Sequence, residues 1–229
     1  MKKILTIAVW GEDLNLNPEF EEVEIIKADD AWLKKCKSKY AVFLNSGSAY
    51  CDLRPLLDRA ESSSADIIAF TDGCLFKTSS IRHIDAGADI FNMQISCILS
   101  CKSIEKTSFT PFNLTKNTDC GEAAEKLISA VKDYTSAKTK VPVDVYSYAR
   151  DIICERLVLF YKSYMLAMRS GADGSLLAEL DRQIKALDVV LYKVFENRYG
   201  HAELEKLKTK NFKISFITAI KYKSQLKVK

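Results

Sequence analysis

A short polar turn carries the side chains in this sequence that are best placed to bind a ligand. The run Tyr40–Leu44 is apolar and predicts a buried strand, and the residues Asn45-Ser-Gly-Ser48 follow it directly. In α/β folds ligands bind beyond the carboxyl ends of central strands, which is where this turn falls. Amide and hydroxyl groups hydrogen-bond polar ligands, whereas a turn without a carboxylate offers little to a metal ion. Asn45, Ser46 and Ser48 are therefore candidate ligand-binding residues, and no metal site is expected.

Alternating strands and helices in residues 1–146 must position this turn. We predict strands at 4–10, 23–28, 40–44 and 66–70, and helices at 29–38 and 52–63. Such alternation predicts an α/β fold with a mostly parallel sheet and helices on its faces. Further along the chain we expect a strand at 95–100, one helical turn at 103–107, a helix at 121–134 and an extended segment at 140–146.

The last part of the chain, residues 147–229, is predicted to be a helical extension. Apolar residues recur at helical spacing from Ile153 to Met168. A second run has the spacing of a coiled-coil seam. Its members are Leu177, Leu180, Ile184, Leu187, Leu191 and Val194. A lysine-rich helix is expected from about Ala202. We expect these helices to pack within the chain, with a protein partner or a homodimer as the alternative.

The composition is that of an ordinary globular protein, with 48% hydrophobic and 28% charged residues. The net charge of +4 is uneven, because residues 201–229 carry eight lysines and two glutamates. This basic segment is either a solvated helix face or a contact for an anionic membrane surface. No nucleic-acid-binding motif accompanies it. No apolar run reaches the ~20 residues of a membrane span, and the apolar start is interpreted as a strand rather than a leader. We expect a cytoplasmic protein, with peripheral membrane contact as an alternative.

The seven cysteines and two tryptophans are expected to be structural. The cysteines form no Cys-x-x-Cys pair and no zinc-ligand spacing with the two histidines, so buried free thiols in a reducing compartment account for them. Trp10 and Trp32 are expected to fill the core, and stacking on a sugar is the alternative.

Several segments, taken together, resemble family 2 glycosyltransferases of the GT-A fold. The family has, in order, a Phe-Leu-Asp-Ser-Asp-Asp-Tyr strand end, an Ala-Asp-Ile-Val strand, an acceptor-side strand with a basic turn, a Gly-Glu-Asp turn and a Pro-x-x-x-Tyr-Tyr stretch. The similar segments here are Phe43–Tyr50, Ala65–Ile68, Cys97–Ile104, Gly121–Ala123 and Pro142–Tyr148. The resemblance covers roughly half of the chain and implies an abbreviated GT-A sheet followed by the helical extension.

The resemblance implies a nucleotide-sugar-dependent transferase, but the residues that would bind its metal are replaced. In the family, the two aspartates of Asp-x-Asp hold a divalent cation that grips the donor diphosphate. Asn45 and Gly47 stand in their places here. An amide oxygen is a poor substitute for a carboxylate, and glycine supplies no side-chain ligand. We therefore expect no cofactor, and a nucleotide-sugar with Mg²⁺ or Mn²⁺ only if the chain is active.

The general base of the family is also replaced. Ala123 stands where the family has the aspartate of Gly-Glu-Asp, and alanine accepts no proton. Glu122, or Asp119 through a shift of register, is the candidate catalytic residue if the chain is active. The stretch before the polar turn is much shorter than in the family, so much of the donor pocket is missing. Asp29 and Asp30 are candidates for the base-binding carboxylate, with a helix N-cap as the alternative.

Two functions follow from these residues. The three losses favour a non-catalytic glycosyltransferase-like module that binds a glycan, a nucleotide or another protein. The alternative is an active glycosyltransferase of surface polysaccharide or glycan synthesis, with a lipid-linked or glycan acceptor.

Overall fold

The structure is a computed structural model that describes residues 3–10, 20–29, 31–45, 48–50, 52–71, 73–85, 90–109, 112–113, 123–169 and 175–199. Of residues 45, 49–50, 112–113, 123, 169 and 199 it describes the backbone alone. The expected helix from Ala202 and the rest of the basic segment lie outside these ranges.

The described residues form strands and short helices in the first part of the chain and longer helices in the second. The strands are β1 Leu5–Trp10, β2 Val23–Lys27, β3 Tyr40–Asn45, β4 Ala49–Tyr50, β5 Ile67–Phe70, β6 Gly73–Lys77, β7 Ile104–Lys106 and β8 Phe112–Asn113. The helices are α1 Trp32–Lys35, α2 Arg54–Ser62, α3 Thr78–Ile81, α4 Ile90–Ser100, α5 Ala123–Ser136, α6 Val143–Arg169, α7 Ser175–Leu187 and α8 Val189–Tyr199.

Six of the described strands form one sheet in the order β2-β1-β3-β6-β5-β7, and β4 pairs with β8 in a separate ribbon. The pairs β1–β2, β1–β3 and β5–β7 are parallel, whereas β6 lies antiparallel between β3 and β5. The sheet is therefore mostly parallel, and the helices follow in the carboxyl-terminal part. This confirms the predicted α/β class. Strand β6 was not predicted.

Side chains of a strand point alternately to the two faces of the sheet, and each face of this sheet packs against a different set of residues. One face packs on α2 through aliphatic residues that are almost fully buried, including Leu5, Ile7 and Leu56. On the other face, Phe43 stacks on Phe76 with ring centroids 5.1 Å apart, and the edge of Trp32 meets Phe43 at 5.8 Å. Because both faces are covered, β1 and β3 read as continuous apolar runs in the sequence.

Three predicted segments were wrong. Residues 95–100 belong to the helix α4, because a short apolar run does not distinguish a buried strand from a buried helix. Residues 104–106 form β7 rather than a helical turn, since parallel pairing with β5 overrides their weak local preference. Residues 143–146 open α6, and the Tyr146 N–H donates to the Pro142 carbonyl at 2.8 Å. A proline at a helix start loses no intrahelical bond, so it marks a helix here and not a strand edge.

The chain divides into two compact units. The first contains the strands, α1–α4 and residues 140–146, and the second contains α5, α7, α8 and α6 from Ser147 onward. The predicted boundary between residues 146 and 147 stays a prediction. No described helix combines the length and the apolar character that crossing a membrane requires.

The coiled-coil seam predicted in the second unit is interrupted. One helix ends at Leu187 and the next begins at Val189, and the Asp188 carboxylate accepts hydrogen bonds from the N–H groups of Val190 and Leu191, both at 2.9 Å. Asp188 thus caps α8. Beyond this cap Leu191 and Phe195 are fully buried, whereas Val194 of the predicted seam is only partly buried. Beyond Asp188, the predicted spacing therefore no longer identifies which residues are buried.

Lys39 stabilises the carboxyl end of α2, and its removal is expected to weaken the fold. Its ammonium group donates to the carbonyls of Ala60, Glu61 and Ser63 at 2.8–2.9 Å. Lys39→Met should lower the free energy of unfolding by about 1–2 kcal/mol, because a cation satisfies the terminal carbonyls of a helix. Urea denaturation measures the loss. Lys37→Met, at an exposed neighbouring position, is the control, and equal effects of the two would contradict this role for Lys39.

Asp188→Ala is expected to destabilise the second unit. The substitution leaves two N–H groups at the start of α8 without their acceptor, which should cost about 1 kcal/mol. Asp188→Asn keeps an acceptor oxygen and should retain most of that stability. The two variants are compared by urea denaturation with helix content followed by circular dichroism. A variant pair with the same midpoint would show that the cap does not contribute.

Candidate functional site

The candidate site lies at the carboxyl edge of β2, β1 and β3. Parallel pairing places Val9 level with Lys27 on one side and with Leu44 on the other, and Trp10 level with Asn45. The three strands therefore end together, and the polar turn that follows β3 starts beside the end of β1. The register brings the ends of three strands, far apart in the sequence, to a single edge.

The strand order makes this edge a topological switch point. From β1 the chain passes to β2 on one side of the strand, whereas from β3 it continues through α2 to β5 on the other side. Connections that leave neighbouring parallel strands in opposite directions open a crevice between them, and ligands of α/β proteins bind in such crevices. This rule places the expected crevice between β1 and β3, where Trp10 and Asn45 end the two strands.

The two-stranded ribbon restrains the chain just beyond the polar turn. Ala49 pairs with Asn113, and Tyr50 with Phe112, in antiparallel register. The ribbon ties the chain that leaves β3 to the chain that leaves β7, although β6 and β5 separate these strands in the sheet. The exit of the turn is therefore held by backbone hydrogen bonds and is not a free loop end.

Asp29 lies at the carboxyl end of β2, and its carboxylate has local partners. One oxygen accepts from the Ala31 N–H at 2.9 Å, and the other forms an ion pair with Lys35 at 2.9 Å. The hydrogen bond from Lys35, followed by that from Ala31, lowers the pKa of this exposed carboxyl group. These contacts form a turn just before α1, but the N-cap residue of that helix is Ala31 and no side chain caps it, so Asp29 is not the predicted N-cap.

The structure describes only some of the other predicted site residues. Ser48 is 8% exposed and has a partner, so it is not a free hydroxyl group in the crevice. Asn45 ends β3, and only its backbone is described. Four of the predicted site residues lie outside the described ranges: Asp30, Ser46, Asp119 and Glu122. The structure thus brings the end of β2 and the start of the polar turn to one edge and leaves the predicted acid–base residues as predictions.

The two tryptophans, both predicted to fill the core, differ in their burial. Trp32 is 1% exposed and packs against Phe43 in the core, as predicted, whereas Trp10 is partly exposed at the end of β1. Among the described residues, no ring and no hydrogen-bond partner meets the Trp10 indole. The sequence did indicate that Trp10 could be exposed, since it is the last residue of the predicted first strand. In the structure it lies level with the start of the polar turn.

A second polar cluster lies at the opposite, amino edge of the sheet. The Asp66 carboxylate accepts from the Ser80 hydroxyl at 2.7 Å and from the Lys102 N–H at 2.8 Å. Burial by itself raises the pKa of Asp66, but these hydrogen bonds outweigh it and the pKa is lowered. Asp66 therefore joins β5 to α3 and to the start of β7, and it is separate from the crevice.

The described cysteines do not add a metal-binding or nucleophilic group. Cys36, Cys74, Cys97, Cys101 and Cys154 are free and buried. Burial raises the pKa of the Cys97 and Cys101 thiols, which keeps them protonated and unreactive. Within the described part of the chain, no group of three or more His, Cys, Asp or Glu side chains is arranged to hold a metal ion.

Comparison with known proteins finds distant structural similarity only. No protein-family model and no curated protein sequence matches this chain. A crystal structure of S. aureus TarS superposes with a TM-score of 0.43 at 9% sequence identity, covering 87% of this chain and 55% of TarS. A structure of S. aureus TarS 1–349 in complex with UDP gives a TM-score of 0.40 at 9% identity, covering 79% of this chain and 75% of that one. The chain therefore spans little more than half the length of the first of these structures.

The ion pair with Lys35 predicts the titration of Asp29. Lys35→Met should raise the Asp29 pKa towards the ordinary aspartate value, because the largest cause of its lowering is removed. Since the folded-state pKa is lowered, the stabilisation by this pair is present above the unfolded-state pKa and is lost as the pH falls through the folded-state pKa. Carbon-13 NMR of the side-chain carboxyl group measures the shift. Lys34→Met, which removes a contact to Asp85 instead, should leave the Asp29 titration unchanged.

Proposed function

We propose that this chain is a glycosyltransferase-like protein that binds a ligand at the crevice between β1 and β3 and does not transfer sugar. The observation that carries the proposal is the switch point itself, where a neutral polar turn follows β3 directly. The order of the motifs between residues 39 and 150 supports an abbreviated GT-A-like domain. We place that domain at 1–146 and the helical extension at 147–229.

The chemistry of the turn supports binding without catalysis. A divalent cation that grips a diphosphate needs two or more oxygen ligands from the protein, and carboxylates supply most of the affinity. Asn45 and Gly47 provide one amide and no second side chain. Ala123, which opens α5, provides no base. Metal activation and proton abstraction, the two steps that drive sugar transfer in the family, therefore both lack their residues.

The active transferase remains the second candidate, because Glu122 is retained at its place in the motif order and Asp119 is close to it in the sequence. In that case a nucleotide-sugar with Mg²⁺ or Mn²⁺ would be the donor complex, and these carboxylates would act on the acceptor hydroxyl group.

Partners and location are part of the same proposal. The helical extension offers a surface for a protein partner or for a second copy, since Val189 and Val190 of α8 are 51% and 58% exposed. The basic residues of 201–229 suit peripheral contact with an anionic membrane from the cytoplasmic side. We propose no nucleic-acid partner.

Restoring the missing carboxylates tests the proposed loss of metal binding. The double variant Asn45→Asp, Gly47→Asp should bind Mn²⁺, seen as loss of the free-ion signal in electron paramagnetic resonance, whereas the wild-type protein should not. In calorimetry the wild-type protein should show no Mn²⁺-dependent binding of UDP, and it should not hydrolyse a UDP-sugar. The control Lys193→Asp, Asn197→Asp places two carboxylates one turn apart on the exposed side of α8.

The two candidate functions predict opposite results in this experiment. If the wild-type protein hydrolyses a UDP-sugar and Glu122→Gln abolishes the reaction, the chain is an enzyme and the non-catalytic function is wrong. If the double variant gains no more Mn²⁺ affinity than the α8 control, the turn does not have the geometry that the family resemblance implies.

A further inference from the structure

An arginine interrupts the apolar face that α6 buries within the second unit. Residues that are three, four and seven positions apart share one face of a helix, so Arg150 lies on the same face as Ile153, Cys154 and Leu157. These three neighbours are fully buried, whereas Arg150 keeps 30% of its side chain exposed. A charged group on an apolar face costs stability unless it has partners, so the contacts of Arg150 decide what it can do.

Arg150 donates no hydrogen bond to any residue that the structure describes. Its Nε is enclosed and has no acceptor. Its ion pair with the Asp151 carboxylate has an N···O distance of 3.6 Å, which is longer than a hydrogen bond. The two terminal nitrogens also have no acceptor among the described residues, but they are not enclosed, so solvent reaches them. The guanidinium group of Arg150 therefore has donors that the described chain does not use.

The carboxylate of Asp151 is engaged by a second arginine, Arg198 of α8. One terminal nitrogen of Arg198 donates to Asp151 Oδ1 at 2.6 Å, and the other donates to the Asp151 carbonyl at 3.3 Å. The same Oδ1 atom is the one that lies 3.6 Å from Arg150. Because both guanidinium groups approach a single oxygen atom, they are close enough for one small group to contact both.

The cluster of Arg150, Asp151 and Arg198 has an excess of positive charge. Two guanidinium groups face one carboxylate, which leaves one positive charge without a counterpart in the cluster. Cys154, whose thiol is affected by all three charges, does not supply a negative charge. Burial raises the pKa of this thiol to about 11, so it stays protonated at neutral pH.

Two further carboxylates limit the charge that this cluster can accept. Asp188, the cap of α8, is close enough for its charge to affect the Cys154 thiol. Glu155 is exposed and lies one helical turn after Asp151. Both repel a ligand that carries several negative charges, so the cluster suits a group with a single negative charge better than a diphosphate.

We propose that Arg150 and Arg198 form a binding site for a singly charged oxyanion group, a carboxylate or a phosphodiester. Guanidinium groups bind such oxygens through paired, charge-assisted hydrogen bonds. The oxyanion accepts from the terminal nitrogens of Arg150, which have no described acceptor, and shares Arg198 with Asp151. All of these residues belong to the second unit, so the site does not depend on the function proposed for the crevice.

Thermal melting distinguishes a binding residue from a structural one. Arg150→Met should leave the melting temperature unchanged or raise it by about 2–4 °C, because methionine suits the apolar face and no described hydrogen bond is lost. Arg198→Met should lower the melting temperature, because it removes the 2.6 Å hydrogen bond to Asp151. If Arg150→Met lowers the melting temperature as much as Arg198→Met, Arg150 is a structural residue and the proposal is wrong.

Binding is tested by titrating the full-length protein with sodium acetate and with dimethyl phosphate, each at constant ionic strength. Nitrogen-15 NMR follows the arginine Nε–H signals, and the signal of Arg150 is assigned by its loss in Arg150→Met. This signal should shift and reach saturation with at least one of the two anions. Arg150→Met, followed through the Arg198 signal, should weaken binding by about tenfold or more.

Two further variants sharpen the comparison. Asp151→Asn should tighten anion binding, because it removes the carboxylate that competes for Arg198. Arg182→Met is the matched control, since Arg182 is an exposed arginine of α7 that is paired with Glu179, and anion binding should be unchanged. Flotation with phosphatidylglycerol vesicles identifies the source of the oxyanion. Flotation that Arg150→Met abolishes indicates a lipid headgroup, and binding of the soluble anions without flotation indicates a soluble ligand.

Three results would overturn the proposal. The first is the absence of a saturable shift with either anion. The second is binding that Arg150→Met leaves unchanged. The third is tighter binding of pyrophosphate than of dimethyl phosphate, which would contradict the preference for a single charge. None of these results bears on the crevice, whose residues lie in the first unit.

Discussion

The parallel pairing of β1 on both sides is the constraint on which the rest of the structure depends. Leu5, Ile7 and Ala8 are fully buried, and the strand hydrogen-bonds β2 along one edge and β3 along the other. The observed register places the ends of both neighbouring strands close to the level at which β1 ends. The switch point between β1 and β3, and the position of Trp10 level with Asn45, follow from this arrangement.

The two edges of the sheet have different chemistry. At the amino edge, polar groups have internal partners: the Thr6 hydroxyl donates to Ser38 at 2.8 Å, Ser38 donates to the Tyr40 carbonyl at 2.6 Å, and the Tyr40 hydroxyl donates to the Ala65 carbonyl at 2.7 Å. A buried polar group without a partner costs about 1–3 kcal/mol, so these bonds stabilise the fold. At the carboxyl edge, the indole of Trp10 has no such partner among the described residues. The first edge supports the structure, and the second is the edge at which we propose that a ligand binds.

Elements with a strong pattern could be predicted from the sequence, and elements that depend on distant pairing could not. The apolar runs of β1 and β3 and the apolar face of α2, with Leu56 and Ala60, are local signals and were correct. By contrast, Ile104–Lys106 becomes a strand only because β5 lies beside it, and the apolar run of α4 fits either a strand or a helix. The break at Asp188 was missed because the apolar spacing continues across it, while the cap depends on one carboxylate oxygen.

The candidate site shows why position in the sheet decides what a residue does. Trp10 and Trp32 are the same residue type, and composition or propensity cannot separate them. Trp32 begins a short helix that covers the sheet face and packs against Phe43, whereas Trp10 lies one residue beyond the buried part of β1. The same reasoning applies to the carboxylates: Asp29 follows its strand as a ligand-binding aspartate would, but Lys35 and Ala31 occupy its oxygens. The position of either residue at the end of a predicted strand can be derived from the sequence, and only the surrounding contacts determine whether a ligand can use it.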